Sequence, residues 1–105
     1  MKKLINLFED ANWEEAKGYP EGTKRKVLRD EDNKRTVLLK LPKGFKMSAH
    51  SHVTTEQHFV LEGAYESEGK NYPVGSYQIF SAHDEHGPFI SENGAIVLVI
   101  WDSLK

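Results

Sequence analysis

The chain has 105 residues, 38% of them apolar and 29% charged, with a formal net charge of −2. That length suits one domain, and so ordinary a composition excludes disorder, collagen and coiled coil. Without cysteine there are no disulfides, thiolate metal sites, Fe–S clusters or cysteine nucleophile, so any metal must be held by His, Asp or Glu.

In chain order, Met1-Lys2-Lys3 opens like a signal peptide, but the apolar stretch that follows is short, is interrupted by Asn6 and runs into Glu9-Asp10. We expect mature, cytoplasmic protein. No segment approaches the ~18 apolar residues of a membrane span. Asp10 to Ala16 predicts a short helix, stopped by Gly18, Pro20 and Gly22. Residues 1–22 are expected to pack on a barrel built from residues 23–105. Within it, β-like runs are predicted at Lys26–Arg29, Lys34–Leu41, His58–Leu61, Ala64–Ser67, Lys70–Tyr72, Ser76–Phe80, Phe89–Ile90 and Ala95–Trp101. Turn signals separate them: Asp30-Glu31-Asp32-Asn33, Pro42-Lys43-Gly44, Glu62-Gly63, Gly69, Pro73-Val74-Gly75 and Glu92-Asn93-Gly94. Many short strands with turns between them predict an all-β sandwich or barrel. Ala95–Trp101 is apolar on both faces and needs cover from another sheet or a second copy, so a homodimer is expected.

Charge is unevenly spread. Residues 1–46 carry twelve Lys/Arg and eight Asp/Glu; residues 47–105 carry two Lys and eight Asp/Glu. All five histidines (His50, His52, His58, His83, His86) lie in the acidic part, a pattern that suits a cation better than a phosphate. The basic run Lys24-Arg25-Lys26, with Arg29, Lys34 and Arg35, has no aromatic platform or reading helix beside it. It reads as a solvated strand face rather than a nucleic-acid surface.

His50 and His52 stand at i and i+2. On a strand their imidazoles share a face about 7 Å apart, close enough for both to reach one ion at about 2.0–2.1 Å. Glu56 and His58 continue that parity, and Gln57 has the opposite one. His86 joins only if its strand lies beside the first. His58 can face the cavity, to orient a substrate, move a proton or bond Glu56; a buried histidine without a role is the alternative. His83 is expected on an exposed loop, with contact to the metal or a ligand as the alternative. Tyr65 and Tyr77 are pocket-wall candidates whose hydroxyls can meet a substrate. Phe45, Met47, Phe59, Phe80 and Phe89 are expected in the core or pocket wall.

The full spacing is more specific than His-x-His alone. It runs Gly44, five residues, His50, one, His52, three, Glu56, six, Gly63; then Gly75, five residues, Ser81-Ala82-His83, two, His86. The first string resembles the first cupin motif, G-x5-HxH-x3-E-x6-G, at every fixed position. The second is similar to G-x5-PxG-x2-H at Gly75 and His86, and departs from it at Ser81 and His83. Tyr19-Pro20-Glu21-Gly22, Leu41-Pro42-Lys43-Gly44, Phe59 to Gly63 and Tyr72 to Tyr77 resemble the ChrR-like branch of small cupins. The resemblance implies a double-stranded β-helix, or jelly-roll barrel, around one divalent metal. Carried over, the ligands are His50, His52, Glu56 and His86. Such a set suits Fe, Mn, Ni, Cu, Co or Zn and leaves the choice open. By analogy it implies dioxygenase-type chemistry on a small chelating substrate. A non-redox metal-dependent isomerase or lyase and a metal- or ligand-sensing module are the alternatives. ChrR-like anti-sigma factors carry a further helical zinc-binding domain, for which 105 residues leave no room, so regulation by that route is not expected.

Overall fold

The structure, a computed structural model, describes residues 4–102; expectations for residues 1–3 and 103–105 lie outside it. Among the described residues there are nine strands, and no helix is long and apolar enough to cross a membrane. The strands are β1 (Glu14–Glu15), β2 (Lys24–Glu31), β3 (Lys34–Leu41), β4 (Phe45–Met47), β5 (Glu56–Ser67), β6 (Lys70–Pro73), β7 (Tyr77–Phe80), β8 (Phe89–Ser91) and β9 (Ala95–Trp101). All pairings are antiparallel. The order is β1-β2-β3-β9-β5-β8-β4, with β6 and β7 also on β5. The sheet curls on itself as an all-β jelly roll.

The long β5 makes that curl. Its first half pairs with β7 and β9, its second with β6 and β8. The expected stop at Glu62-Gly63 is a bend within one strand. The register shifts between Val60 and Glu62, and Gly63 takes φ +70°. A Cβ on Gly63 would lie 2.3 Å from the Gly94 carbonyl oxygen, so only glycine lets the two backbones meet there.

The expected helix at Asp10–Ala16 is absent. A seven-residue run closed off by Gly18 is too short to offset the cost of helix nucleation. Glu14 and Glu15 pair instead with Arg25 and Lys24, and the Arg25 Nε–Glu14 Oε1 distance is 2.9 Å. β4, which was not predicted, is only three residues long, and Phe45 on it is buried.

The core follows strand alternation. Val37, Leu39 and Leu41 on β3 face Val99, Val97 and Ala95 on β9, with Val60, Phe45 and Phe89 closing the interior. Burying each large apolar side chain contributes about 1.5–3 kcal/mol. β9 is less bare than its composition suggests. It lies between β3 and β5, and its outward Ile96, Leu98 and Ile100 are half-buried beside a fully buried Leu38.

The basic run is not one solvated face. Lys26 is buried on the outer side, with Nζ 4.6 Å from the Trp13 ring centroid and donating to the Glu9 carbonyl. Arg29 and Lys34 are exposed. Arg25 lies opposite Leu39, and Arg35 is two residues before Val37, so both take the inward parity.

Candidate metal centre

His50, His52 and His86 each offer a ligating atom, and these atoms all lie within 4.8 Å of one another. The expected regular strand through His50 and His52 is not what unites them. His50 forms a single antiparallel bridge with His86, donating N–H to the His86 carbonyl at 2.9 Å and accepting its N–H at 2.7 Å. His52 lies in the loop beyond, its carbonyl accepting the His83 N–H at 2.7 Å. The ring centroids are 4.4 Å apart for His50–His86, 4.9 Å for His50–His52 and 5.3 Å for His52–His86.

Backbone carbonyls fix two of these rings. His50 Nδ1 is 3.1 Å from the Ser48 carbonyl and His86 Nδ1 is 3.3 Å from that of Asp84. An Nδ1–H donated there leaves Nε2 with its lone pair free. His86 Nε2 is sealed from solvent and has no hydrogen-bond partner. A buried, unsatisfied acceptor is costly, and a cation shared with neighbouring imidazoles satisfies it. Burial also lowers the proton affinity of His86, helped by His50 and His52 and opposed by Glu56. The donor set therefore fits a divalent ion.

Glu56 enters from β5. Its Oε1 is 3.3 Å from His52 Nε2 and 3.6 Å from His86 Nε2. Two ligands each about 2.1 Å from one ion are separated by roughly 3.0–3.4 Å, so these spacings are close to those of a shared cation. The other contacts hold the carboxylate still. Trp101 Nε1 donates to Oε1 at 2.6 Å, and His58 Nε2 lies 2.5 Å from Oε2. Burial alone would raise the pKa of Glu56. The His58 hydrogen bond and the charges of His58, His86 and His52 outweigh it and hold the carboxyl below its ordinary value.

His58 is buried, and its Nδ1 is 3.1 Å from the Tyr65 hydroxyl, which bonds Gln78 Oε1 at 3.3 Å. Tyr65 thus faces inward with its hydroxyl committed to His58, and burial pushes its pKa up. Tyr77 lies elsewhere. It is 47% exposed on the outer face, stacks on Phe59 and donates to Gln57 Oε1 at 2.7 Å. This corrects its expected place on the pocket wall: opposite Phe59, it takes the parity that points away from Glu56 and His58. His83 is exposed, at φ +70°, and its side chain is outside the three-histidine group.

Behind the cluster is an interior cavity of about 30 Å³, lined by His50, Glu56, His58, Tyr65 and apolar side chains. It has room for a water-sized occupant. On the His52 side an open hollow of about 430 Å³ reaches solvent. Tyr19 and Leu39 line both, so the two spaces abut. A larger hollow, about 560 Å³, lies on the outer side by Trp13 and Lys43, away from the histidines. Sequence reasoning missed Tyr19 and Trp101 as site residues. Tyr19 was visible only within the Tyr19-Pro20-Glu21-Gly22 string, and Trp101 only as the end of an apolar run.

A curled antiparallel sheet with a histidine cluster at one end of its interior is the arrangement of a small cupin. The ChrR cupin-like domain family matches residues 1–104, and the chain belongs to that family. A comparison with the curated proteins finds no match. Among solved structures, the complex of SigE with the anti-sigma ChrR from Rhodobacter sphaeroides is 27% identical, with a TM-score of 0.75, covering 90% of this chain and 51% of the matched one. This chain thus spans about half the length of that relative. An acetylacetone dioxygenase from Acinetobacter johnsonii is 17% identical, with a TM-score of 0.79, over 96% of this chain and 74% of the other. An RmlC-like cupin from Shewanella frigidimarina is 21% identical, with a TM-score of 0.78, over 99% and 94%. The last two establish likeness of fold alone.

Proposed function

We propose that the chain is a cytoplasmic, metal-dependent cupin enzyme acting on a small oxygen-chelating substrate, with dioxygenase-type chemistry. The bare, buried Nε2 of His86 beside the other two imidazoles carries this reading. His50, His52 and His86 would hold one divalent ion, with Glu56 Oε1 as fourth ligand. Such an ion supplies Lewis acidity to a chelated enolisable substrate and, if redox active, a route to O2.

The chain's own residues supply the rest. Trp101 N–H fixes the Glu56 carboxylate on one side and His58 on the other. Glu56, held ionised by the hydrogen bond from His58 Nε2–H, is the acceptor for a substrate proton, and the His58 ring, tethered by Tyr65, keeps that carboxylate oriented. Phe80, Phe89 and Val99 line the inner side and exclude water. Oxygen uptake by the metal-loaded protein, screened with β-diketones, flavonols and thiols, tests the reading. Consumption of O2 in step with loss of one substrate is expected. Stoichiometric metal without uptake on any of them contradicts it and favours the second reading, a ligand-sensing module, which family membership supports.

We also propose a homodimer, through a different surface from the one expected. Tyr77 and Ile79 on the edge strand β7 are 47% and 58% exposed, and Val74 just before it is 60% exposed. Light scattering should give twice the chain mass, and Ile79→Lys should halve it. A monomeric wild type contradicts the dimer.

A further inference from the structure

We infer that the open hollow beside His52 is an anion subsite, and that the guest of the metal centre is a small carboxylate-bearing oxygen chelator. This rests on the metal-centre reading above and adds the substrate class. Three cationic side chains, Lys17, Arg25 and Arg35, line the hollow together with Tyr19, His52 and Trp101. Their position is unusual for a barrel strand. Arg35 continues the inward row of Val37, Leu39 and Leu41, and pairs directly across from Trp101. Its side chain keeps 38% exposure at the mouth of this otherwise apolar row, so a cation faces the hollow there.

The geometry ties Arg35 to the chemistry. Its guanidinium lies 5.1 Å from the Trp101 ring centroid, and that ring in turn is 6.4 Å from the His52 ring. The same Trp101 holds Glu56. Arg35 Nε is sealed from solvent with no hydrogen-bond acceptor, and the nearest carboxylate oxygen, on Asp30, is 3.9 Å away. Arg25 is bonded through Nε to Glu14 and lies opposite Leu39. Asp30 and Asp102 also line the hollow, so its formal charge is +1 from three cations and two acids. Tyr19 lines both the interior cavity beside Glu56 and this hollow, so it stands between the metal centre and the residues that carry the two guanidinium groups. A carboxylate fits this end of the site. A planar guanidinium held over an aromatic ring presents its donors in a fork that matches two carboxylate oxygens. A neutral diketone leaves Arg35 Nε without an acceptor.

Two probes share one chelating group and differ in charge: 2,4-pentanedione, and 4,6-dioxoheptanoate, which adds a carboxylate tail. Each is titrated calorimetrically into protein whose metal content has been measured. The charged probe is expected to bind at least about tenfold more tightly, the size of one charge-assisted contact. In Arg35→Gln the ratio of the two affinities should fall to within about twofold, and in wild type it should shrink with added salt. Equal affinities in wild type, or a ratio unmoved by Arg35→Gln, overturn the subsite and leave the metal centre standing. A chelator-treated arm separates the two ideas. In Trp13→Phe, Trp101 is the remaining tryptophan, and glutarate should shift its emission unless Arg35 is also replaced. If the protein takes up no metal but that shift persists, the metal reading fails and the anion subsite survives. If the shift is absent, the subsite fails.

Discussion

The two ends of the barrel interior are made by the same strands and differ in nearly every physical respect. At the closed end, β3 and β9 set Leu39 and Leu41 against Val97 and Ala95, with Phe45 and Tyr65 packed on them. At the open end the same two strands finish in Arg35 and Trp101, and β5 contributes Glu56 and His58. One end is lined almost wholly by apolar side chains; the other carries an orphaned imidazole nitrogen, a buried carboxylate and an orphaned guanidinium nitrogen. Unpaired buried polar groups cost about 1–3 kcal/mol each, and apolar burial further along the same strands offsets that cost. Strain of this kind concentrates where a ligand is meant to relieve it.

The contrast gives predictions of decreasing size. His86→Ala or His50→Ala should lower metal affinity by more than about a hundredfold, beyond the usual cost of a supporting residue, while the far-ultraviolet circular dichroism stays β-rich. Leu41→Ala at the closed end should do the reverse. It should cost about 2–5 kcal/mol in urea unfolding and leave metal stoichiometry unchanged. Loss of metal in Leu41→Ala would break the separation of the two ends. His58→Gln should weaken metal binding by about 10–100-fold, because Glu56 then loses the partner that holds it ionised and in place.

Acid should act on the open end first. His86 has a folded-state pKa below its unfolded value, so the unfolded chain binds more protons as pH falls below about 6.5. Glu56 also titrates low, so its share of stability is present above its ordinary value near 4.3 and is lost as pH falls toward the folded one. Both have the same sign. The urea midpoint of chelator-treated protein should fall from pH 7.5 to pH 5 and again below pH 4.5, and a flat profile contradicts the account. Tyr77→Phe, on the outer face, should change stability by no more than about 0.5 kcal/mol and leave metal affinity alone.

Much of this difference was legible in the sequence. β3 and β9 fall on the expected Lys34–Leu41 and Ala95–Trp101, because long β-branched and aliphatic runs leave little choice of structure. The Lys70–Tyr72 hairpin and the turn at Gly69 also stand, with strand β6 running one residue further. The spacing from Gly44 to Gly63 was informative for a reason now visible: Gly63 is needed where β5 and the Gly94 turn touch. The Asp10–Ala16 segment was misread because cross-strand pairing with Lys24 and Arg25 overrides a weak local propensity. Arg25 and Arg35 were read as solvated because facing cannot be assigned before register. A bulge between Val27 and Arg29 resets parity along β2, and no local signal marks it. Tyr77 was misplaced for the same reason.

Elemental analysis of protein purified without chelators or added metal tests the central claim most directly. Close to one divalent transition-metal ion per chain in wild type, falling to background in His86→Ala, is the predicted result. Wild-type protein that emerges metal-free and takes up none on dialysis against Fe, Mn, Ni, Cu, Co or Zn would contradict it.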